Sequence, residues 1–403
     1  MNLSIEYKKH GNAKAFIKLP FSKSIANRLL ILKHLYAHNL EIKNLPDSND
    51  SLILKNLLEN IHSEMNAEDA GTAYRFLVAI LAVTEGTFRL SGTERMHERP
   101  VKTLVDALKK LGASIEYENK NGFPPLIING KKIEGGTVTL TNPESSQFIS
   151  ALMMVAPLFH SGIEIKIEGK HPSEPYSKIT SELMNQLGFK VIHSGNKIVV
   201  DPYIPEKFPE YFSVEQDWSS AVYFYCLSAL IPENIILTDL KKETLQGDGK
   251  YLNQLPSTET KEGLVIEKSS LNQTMFELDC SNIPDLALPI IVLNSILKIP
   301  SFFTGLESLK IKESNRTEAI ATELQKLNIR FYEDGKGWRL DPINLKFKEN
   351  IKFKTYNDHR IAMSLSMFAV LGKIIIEDAS VVKKSFPQYW QQLENLNFAI
   401  EQQ

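Results

Sequence analysis

Apolar residues recur at helical spacing in segments of about a dozen residues, and each segment precedes a short run typical of a β-strand. Three such segments resemble one another: 107–117 (ALKKLGASIEY), 182–192 (ELMNQLGFKVI) and 323–332 (ELQKLNIRFY). Each joins the end of an amphipathic helix to a Gly or Asn suited to a left-handed cap, and then to a strand. The pattern predicts an α/β protein in which helices and strands alternate.

The similar segments also indicate an internal repeat. Their final leucines, Leu111, Leu187 and Leu327, are 76 and 140 residues apart, close to one and two copies of a unit of about 70 residues. A chain of 403 residues would then hold nearly six units. The alternative is chance, since any α/β protein repeats a helix, a glycine and a strand. Three prolines within 202–212 mark the best internal boundary.

Composition narrows the class of protein. The chain has 46 Lys and Arg against 48 Asp and Glu, which argues against binding to nucleic acid or to a membrane through basic residues. Its first twenty residues lack a signal-peptide core, and its most apolar stretch, 286–297, is interrupted by polar residues. Two cysteines without a Cys/His cluster at metal-ligand spacing predict neither a disulfide framework nor a metal site. A cytoplasmic protein of two domains is expected.

Cations gather at predicted helix starts. In 19–35, Ser22 is a candidate N-cap, Lys23 and Ser24 lie in the first turn, and Arg28 follows one turn later. The segments 69–82 and 92–112 place further Arg residues beside helix entrances. Each segment alone is more typical of a capped helix than of a binding site. Their repetition in a slightly acidic chain predicts a site for small, highly anionic substrates.

Eight motifs occur together in one order: SKSxxNR, AGTAxR, RMxERP, SSQF, PDxA, KExxR, NDHRxAM and FPxYW. On these motifs the chain, from about residue 19 to 393, resembles the EPSP synthases (3-phosphoshikimate 1-carboxyvinyltransferases) of the enolpyruvyl transferase family. The resemblance implies an α/β (α+β) fold with two domains, each containing three pseudo-threefold βαβαββ-type units whose helices converge on the interdomain cleft. It implies a first domain over 19–214 and a second formed by 1–18 with 215–403.

The resemblance also implies roles for individual residues. Asp285, Glu313 and Lys23 match the catalytic positions, the two carboxylates serving proton transfer. Residues that match the shikimate 3-phosphate site are Lys23, Ser24, Arg28, Ser145, Ser146, Gln147, Ser173, Asp285 and Lys312. Residues that match the phosphoenolpyruvate site are Lys23, Gly71, Arg99, Gln147, Arg316, Arg360 and Lys384, with Arg75 as a neighbouring support.

The implied reaction moves the enolpyruvyl group of phosphoenolpyruvate to the 5-hydroxyl of shikimate 3-phosphate by addition and elimination, in the shikimate pathway. It requires no metal or cofactor, and a monomer with these two small-molecule partners is expected. The sequence departs from the family pattern at Phe21, Asp69, Phe76 and Asn315. Two alternatives are a UDP-N-acetylglucosamine enolpyruvyl transferase, which normally carries a reactive Cys near the position of Arg95, and a catalytically silent anion-binding paralogue.

Overall fold

The computed structural model describes residues 1–9, 13–171, 173–268 and 275–403. The chain divides into two compact units: unit 1 contains Met1–Pro20 and Glu215–Gln403, and unit 2 contains Phe21–Val214. Helices and strands alternate in both, as the apolar pattern predicts. Among the described residues, no helix is long and apolar enough to cross a membrane.

Elements are numbered along the whole chain. The helices of unit 2 are α1 (Lys23–Leu35), α2 (Asn49–Glu59), α3 (Gly71–Val83), α4 (Glu94–His97), α5 (Lys102–Lys110), α6 (Ser146–Val155) and α7 (Glu174–Gln186). Its strands are β3 (Glu41–Lys43), β4 (Glu64–Asn66), β5 (Gly86–Ser91), β6 (Ser114–Tyr117), β7 (Leu126–Gly130), β8 (Gly136–Thr141), β9 (Ile163–Glu168), β10 (Val191–Ser194), β11 (Lys197–Val200) and β12 (Tyr211–Ser213).

Unit 1 contains the first two strands and the second half of the chain. Its helices are α8 (Trp218–Ser228), α9 (Gly247–Leu252), α10 (Ala287–Ile296), α11 (Arg316–Gln325), α12 (His359–Ser366) and α13 (Tyr389–Glu394). Its strands are β1 (Leu3–Tyr7), β2 (Lys14–Lys18), β13 (Asn234–Thr238), β14 (Ser257–Thr260), β15 (Gly263–Ile266), β16 (Phe276–Asp279), β17 (Ser301–Thr304), β18 (Arg330–Asp334), β19 (Gly337–Asp341), β20 (Ile351–Phe353), β21 (Ile374–Ile376) and β22 (Phe398–Gln402).

Five four-stranded sheets share one topology. In each, the first two strands are parallel, and the third strand is antiparallel to both the second and the fourth. Their strand orders are β4-β5-β7-β6, β8-β9-β11-β10, β16-β17-β19-β18, β2-β13-β15-β14 and β20-β21-β1-β22. In the described residues, the sixth sheet is reduced to the parallel pair β3 and β12. Unit 1 therefore contains three copies of this topology, and unit 2 contains two copies and the two-stranded sheet, which is consistent with a repeat.

The predicted left-handed caps are confirmed. Gly112, Gly188 and Asn328 follow α5, α7 and α11 with φ angles of 112°, 92° and 60°. A positive φ suits Gly and is tolerated by Asn, so these residues end each helix and turn the chain into the next strand. The repeating sequence segment is thus a repeating helix-to-strand turn.

One helix of each repeat is buried on nearly every side. All residues of α8 are buried, and most of α3, α6, α10 and α12 are buried too. Such helices bury apolar side chains around their whole circumference, which is why their composition is almost entirely apolar or small. The charged residues of these helices lie at their first turns, and the candidate functional residues cluster there.

The first strand is central in its sheet although it is first in the chain. Strand β1 lies between β21 and β22, with Leu3 opposite both Ile376 and Gln402. Strand β2 pairs in parallel with β13, so residues 14–18 also join a partner more than two hundred residues away. Unit 1 is therefore completed by both ends of the chain.

Candidate active site

Lys23 opens α1, and its ammonium group forms an ion pair with Asp50 in the first turn of α2 (Nζ to Oδ2, 2.8 Å). Ser22 occupies the N-cap position, but its side chain makes no capping hydrogen bond, so the prediction of a Ser22 cap is wrong in that respect. The ion pair with Asp50 orients the Lys23 side chain toward α2. That side chain keeps 20% of its surface exposed and can still reach a bound anion.

Arg28 is buried one turn further along α1. Its guanidinium donates from Nε to Thr180 (2.6 Å), from one terminal nitrogen to the Ser24 carbonyl (2.6 Å), and from the other to Ser150 and the Tyr176 carbonyl (3.1 and 3.0 Å). Burial lowers the pKa of Arg28 to about 10. In this structure Arg28 joins α1, α6 and α7, and these bonds use four of the five N–H groups of its guanidinium.

Gln147 and Arg75 are linked at the starts of α6 and α3. Arg75 donates to Oε1 of the Gln147 side chain (2.7 Å), and Nε2 of the same side chain donates to the Thr72 hydroxyl (2.8 Å). Ser145 caps α6 by accepting from the Gln147 backbone (3.2 Å), and Ser146 follows it. The predicted SSQF residues therefore lie beside the predicted AGTAxR residues within unit 2.

Arg99 packs directly on the backbone of Gly71. A β-carbon at Gly71 would lie 2.4 Å from a terminal nitrogen of Arg99, so a larger residue there would displace the Arg99 guanidinium. Arg99 is 4% exposed, and it donates to the Asp69 backbone carbonyl over 3.3 Å. Its Nε is buried and has no hydrogen-bond partner among the described residues. A buried guanidinium with an unused donor is suited to binding an anion.

Ser173 is buried and adopts a left-handed conformation (φ 54°) immediately before α7. Non-glycine residues adopt this conformation rarely, and they do so most often where a turn or a ligand requires it. The backbone carbonyl of Ser24, in the first turn of α1, accepts a hydrogen bond from Arg28. Most of the predicted unit 2 residues therefore lie at helix starts, whereas Arg28 lies one turn into α1 and Arg99 lies between α4 and α5.

In unit 1, Arg316 binds three carboxylates. Its guanidinium donates to Asp358 (Nε to Oδ2, 2.8 Å), to Glu313 (2.8 Å) and to Asp285 (3.4 Å). Burial acts to lower the pKa of Arg316, but Asp358, Glu313 and Asp285 outweigh burial and raise it. We call these four residues, together with Arg360, which forms an ion pair with Asp285 (2.8 Å), the unit 1 ionic network.

Asp358 is the fully buried carboxylate of the unit 1 ionic network. It accepts a hydrogen bond from Ser314 (3.1 Å) and caps α12 by accepting from the Arg360 backbone (2.9 Å). Asp285 and Glu313 are 17% and 16% exposed, so these two carboxylates remain accessible. Buried and accessible acids thus share one cation, which fixes their relative positions.

Lys384 and Lys312 lie at the edges of the same region. The Lys384 ammonium donates to the Asn357 carbonyl (2.8 Å), which lies next to the α12 cap residue. Lys312 directly precedes Glu313 at the end of a short 3-10 turn, Glu307–Ile311. Lys384 is therefore linked through Asn357 to the start of α12, and Lys312 is the sequence neighbour of Glu313.

Asp248 is a further buried carboxylate in unit 1. It accepts a hydrogen bond from Ser219 (2.5 Å). Burial, followed by the negative charge of Asp285, raises the pKa of Asp248 to about 7, although Ser219 and Arg360 act in the opposite direction. A protonated carboxyl therefore adjoins the ionic network at mildly acidic pH.

Comparison with known proteins identifies the family. The family model for EPSP synthase (3-phosphoshikimate 1-carboxyvinyltransferase) matches residues 53–393. The 3-phosphoshikimate 1-carboxyvinyltransferase of Bacteroides fragilis (strain YCH46) is 39% identical over 399 residues, covering 96% of each chain. That of Pseudoalteromonas translucida is 34% identical, covering 94% of this chain and 96% of its own. This chain belongs to the EPSP synthase family.

Solved structures agree on the fold. An EPSP synthase from Acinetobacter baumannii superimposes with a TM-score of 0.76 over 100% of both chains, at 19% identity. The enolpyruvyl transferase NikO from Streptomyces tendae gives 0.74, at 12% identity, over 99% of this chain and 98% of its own. The resemblance and the fold class inferred from the motifs are confirmed.

The cysteines differ from what the UDP-N-acetylglucosamine alternative needs. Cys226 and Cys280 are both buried, and neither lies near Arg95 in the sequence. Burial raises the pKa of the Cys226 thiol, and it raises that of Cys280 to about 12. Neither thiol is ionised near neutral pH, so neither is a reactive nucleophile.

Three residues of the site were missed by the sequence reasoning. Asp50 pairs with Lys23, Thr72 bonds Gln147, and Asp358 holds Arg316. Asp50 lies outside the motifs, and only its place in the first turn of a helix could have indicated it. Thr72 and Asp358 lie inside motifs, but their partners, Gln147 and Arg316, are far away in sequence.

Proposed function

We propose that this protein transfers the enolpyruvyl group of phosphoenolpyruvate to the 5-hydroxyl of shikimate 3-phosphate. The products are phosphate and 5-enolpyruvylshikimate 3-phosphate, on the route to chorismate and the aromatic amino acids. The observation that carries the residue assignment is the placement of Asp285 and Glu313 on one guanidinium, that of Arg316. The proposal includes a monomer acting in the cytoplasm.

Asp285 is proposed as the base that takes the proton of the 5-hydroxyl. Arg360 and Arg316 both bind its carboxylate, and these two ion pairs orient it before the substrate arrives. The hydroxyl oxygen then attacks C2 of phosphoenolpyruvate, which forms the new C–O bond. A base held by two cations is weak, so the incoming anions must first draw part of that charge away.

Glu313 is proposed to move the proton at the methylene carbon. In the addition step this carbon gains a proton, and in the elimination step it loses one while the C2–O bond to phosphate breaks. Arg316 lies 2.8 Å from Glu313 and favours the charged carboxylate. When Arg316 binds the phosphoenolpyruvate anion instead, the proton affinity of Glu313 rises, which the acid step requires.

The remaining cations are proposed to hold the substrates. Two phosphates and two carboxylates must be brought together without repulsion, and this needs several positive groups. Lys23 would assist departure of phosphate, and Arg99, Arg316, Arg360 and Lys384 would bind phosphoenolpyruvate with Gly71 and Gln147. Shikimate 3-phosphate would be held by Lys23, Ser24, Arg28, Ser145, Ser146, Gln147, Ser173, Asp285 and Lys312. No step requires a metal or cofactor.

A phosphate-release assay tests the function. Release from phosphoenolpyruvate should require shikimate 3-phosphate, and mass spectrometry should detect the enolpyruvyl product. Release with UDP-N-acetylglucosamine as the acceptor would assign the protein to the other transferase reaction. Binding of shikimate 3-phosphate without release in either case would make the chain a silent paralogue.

A further inference from the structure

A second cluster of polar residues lies in unit 2, at the start of α7 and on strand β10. It consists of His171, Glu174 and His193, whose candidate ligand atoms all lie within 4.8 Å of one another. The two imidazole rings are stacked, with centroids 6.0 Å apart and planes 25° from parallel. These residues are separated by up to 22 positions in sequence, so their spacing gave no sign of a metal site.

Hydrogen bonds fix the protonation of both rings. Ser177 donates its proton to the Glu174 carbonyl (2.8 Å), so its oxygen must accept from His171 Nε2 (3.1 Å). Ser181 likewise donates to the Lys178 carbonyl (2.9 Å) and must accept from His193 Nδ1 (3.3 Å). A neutral imidazole that donates from one nitrogen carries its lone pair on the other.

The nitrogens that carry the lone pairs are buried without partners. Neither His171 Nδ1 nor His193 Nε2 has a hydrogen-bond partner in the part of the chain that the structure describes. Buried polar atoms normally have partners, so two orphan acceptors beside a carboxylate require an explanation. A metal-binding histidine typically shows this arrangement, in which one nitrogen faces the ion and the other donates to a second protein group.

We propose that His171, Glu174 and His193 bind a divalent transition-metal ion, for which Zn²⁺ is the best chemical match. Two imidazoles and one carboxylate are a known zinc ligand set, with water as the fourth ligand. Ligand atoms of tetrahedral zinc lie about 3.3 Å apart, since the bonds are about 2.0–2.1 Å long. The three side chains must therefore close by about 1.5 Å, which small rotations can provide.

Lys178 competes with the ion. Its ammonium group forms an ion pair with Glu174 (Nζ to Oε1, 2.8 Å), which draws negative charge from that carboxylate and weakens it as a metal ligand. The site joins the first turn of α7 to β10, and α7 carries Thr180 and the Tyr176 carbonyl, both of which hold Arg28. A bound ion would stabilise this part of unit 2 independently of the proposed reaction.

Binding of Zn²⁺ alone to the full-length protein, freed of any histidine tag and of chelator, tests the site. Equilibrium dialysis should give one ion per chain. His193→Asn should weaken the affinity by more than about a hundredfold, and Ser181→Ala by about tenfold, because outer partners contribute about 10–100-fold. Co²⁺ in place of Zn²⁺ should give tetrahedral visible absorption that His193→Asn abolishes.

Two further variants keep the test decisive. His160→Asn changes an exposed histidine of the same unit and should leave binding unchanged. Lys178→Met frees Glu174 and should tighten binding, a gain that a misfolded variant cannot produce. Absence of saturable binding, equal affinity in His193→Asn, or an equal loss in His160→Asn would each overturn the proposal.

Discussion

Arg316 is the most highly connected charged side chain of the unit 1 ionic network. One guanidinium binds Asp285, Glu313 and Asp358, and the first two of these are the proposed proton-transfer groups. Replacing Asp285 by Asn or Glu313 by Gln removes one negative charge but preserves the shape of the side chain. The amide oxygen can still accept a hydrogen bond from Arg316. Such substitutions therefore test chemistry with little effect on folding.

We expect Asp285→Asn and Glu313→Gln each to lower turnover by about two to four powers of ten, because neither amide can exchange a proton usefully near neutral pH. Affinity for shikimate 3-phosphate should largely remain. Single-turnover rates and substrate affinities of both variants and of the double variant provide the measurement. Near-native turnover in either single variant would remove that carboxylate from the mechanism.

Gly71 is expected to act through Arg99. The β-carbon of Gly71→Ala would displace the Arg99 guanidinium, so the KM for phosphoenolpyruvate should rise by about tenfold or more, while α3 remains folded. The matched control is the same substitution in an Arg99→Ala background, where the clash is absent. Equal effects in both backgrounds would show that Gly71 does not position Arg99.

Asp358 shows how one residue serves both a helix and a site. It caps α12 and also neutralises Arg316, which is 2% exposed. We expect Asp358→Asn to destabilise unit 1 by about 1.5–3 kcal/mol, because Arg316 loses charge-assisted hydrogen bonds to its one fully buried carboxylate while Asp285 and Glu313 remain as partners. Thr93→Ala removes a cap on exposed α4 and should cost about 1 kcal/mol. Urea unfolding of both variants measures the difference, and equal losses would contradict the charge argument.

Local sequence patterns predicted where helices, turns and strands form better than which of these elements contact one another. Gly112, Gly188 and Asn328 were predictable as caps because a left-handed turn depends on the residue itself. The Lys23 pairing with Asp50 and the meeting of His171 with His193 depend instead on how separate helices and strands pack. Ser22 occupies the predicted N-cap position, but its buried hydroxyl makes no capping hydrogen bond, and this too depends on how the surrounding elements pack.

The buried acid Asp248 makes the stability of the whole chain depend on pH. Its pKa in the folded state is raised to about 7, so folding favours the protonated form. The stabilisation is complete below the unfolded pKa of about 3.9 and is lost as the pH rises through about 7.

Asp248→Asn should therefore become more stable relative to the parent protein between pH 5 and pH 8. Each tenfold change in proton affinity is worth about 1.4 kcal/mol, which sets the size of the effect at a few kcal/mol. Urea unfolding at both pH values gives the comparison. Asp106→Asn, at an exposed position of α5, is the matched control. A gain that does not change with pH would contradict a titrating Asp248.

The central place of β1 in its sheet has a consequence for biosynthesis. The ribosome makes β1 first and its neighbour β22 last, so β1 waits for nearly the whole chain before its sheet can close. At about 5–20 residues per second, that interval is about 20–80 s. Unit 2 is continuous in sequence and can fold while unit 1 is still being translated. Strand β1 lacks its sheet partners until β21 and β22 have been made, and strands with open edges are the ones that chaperones protect from aggregation.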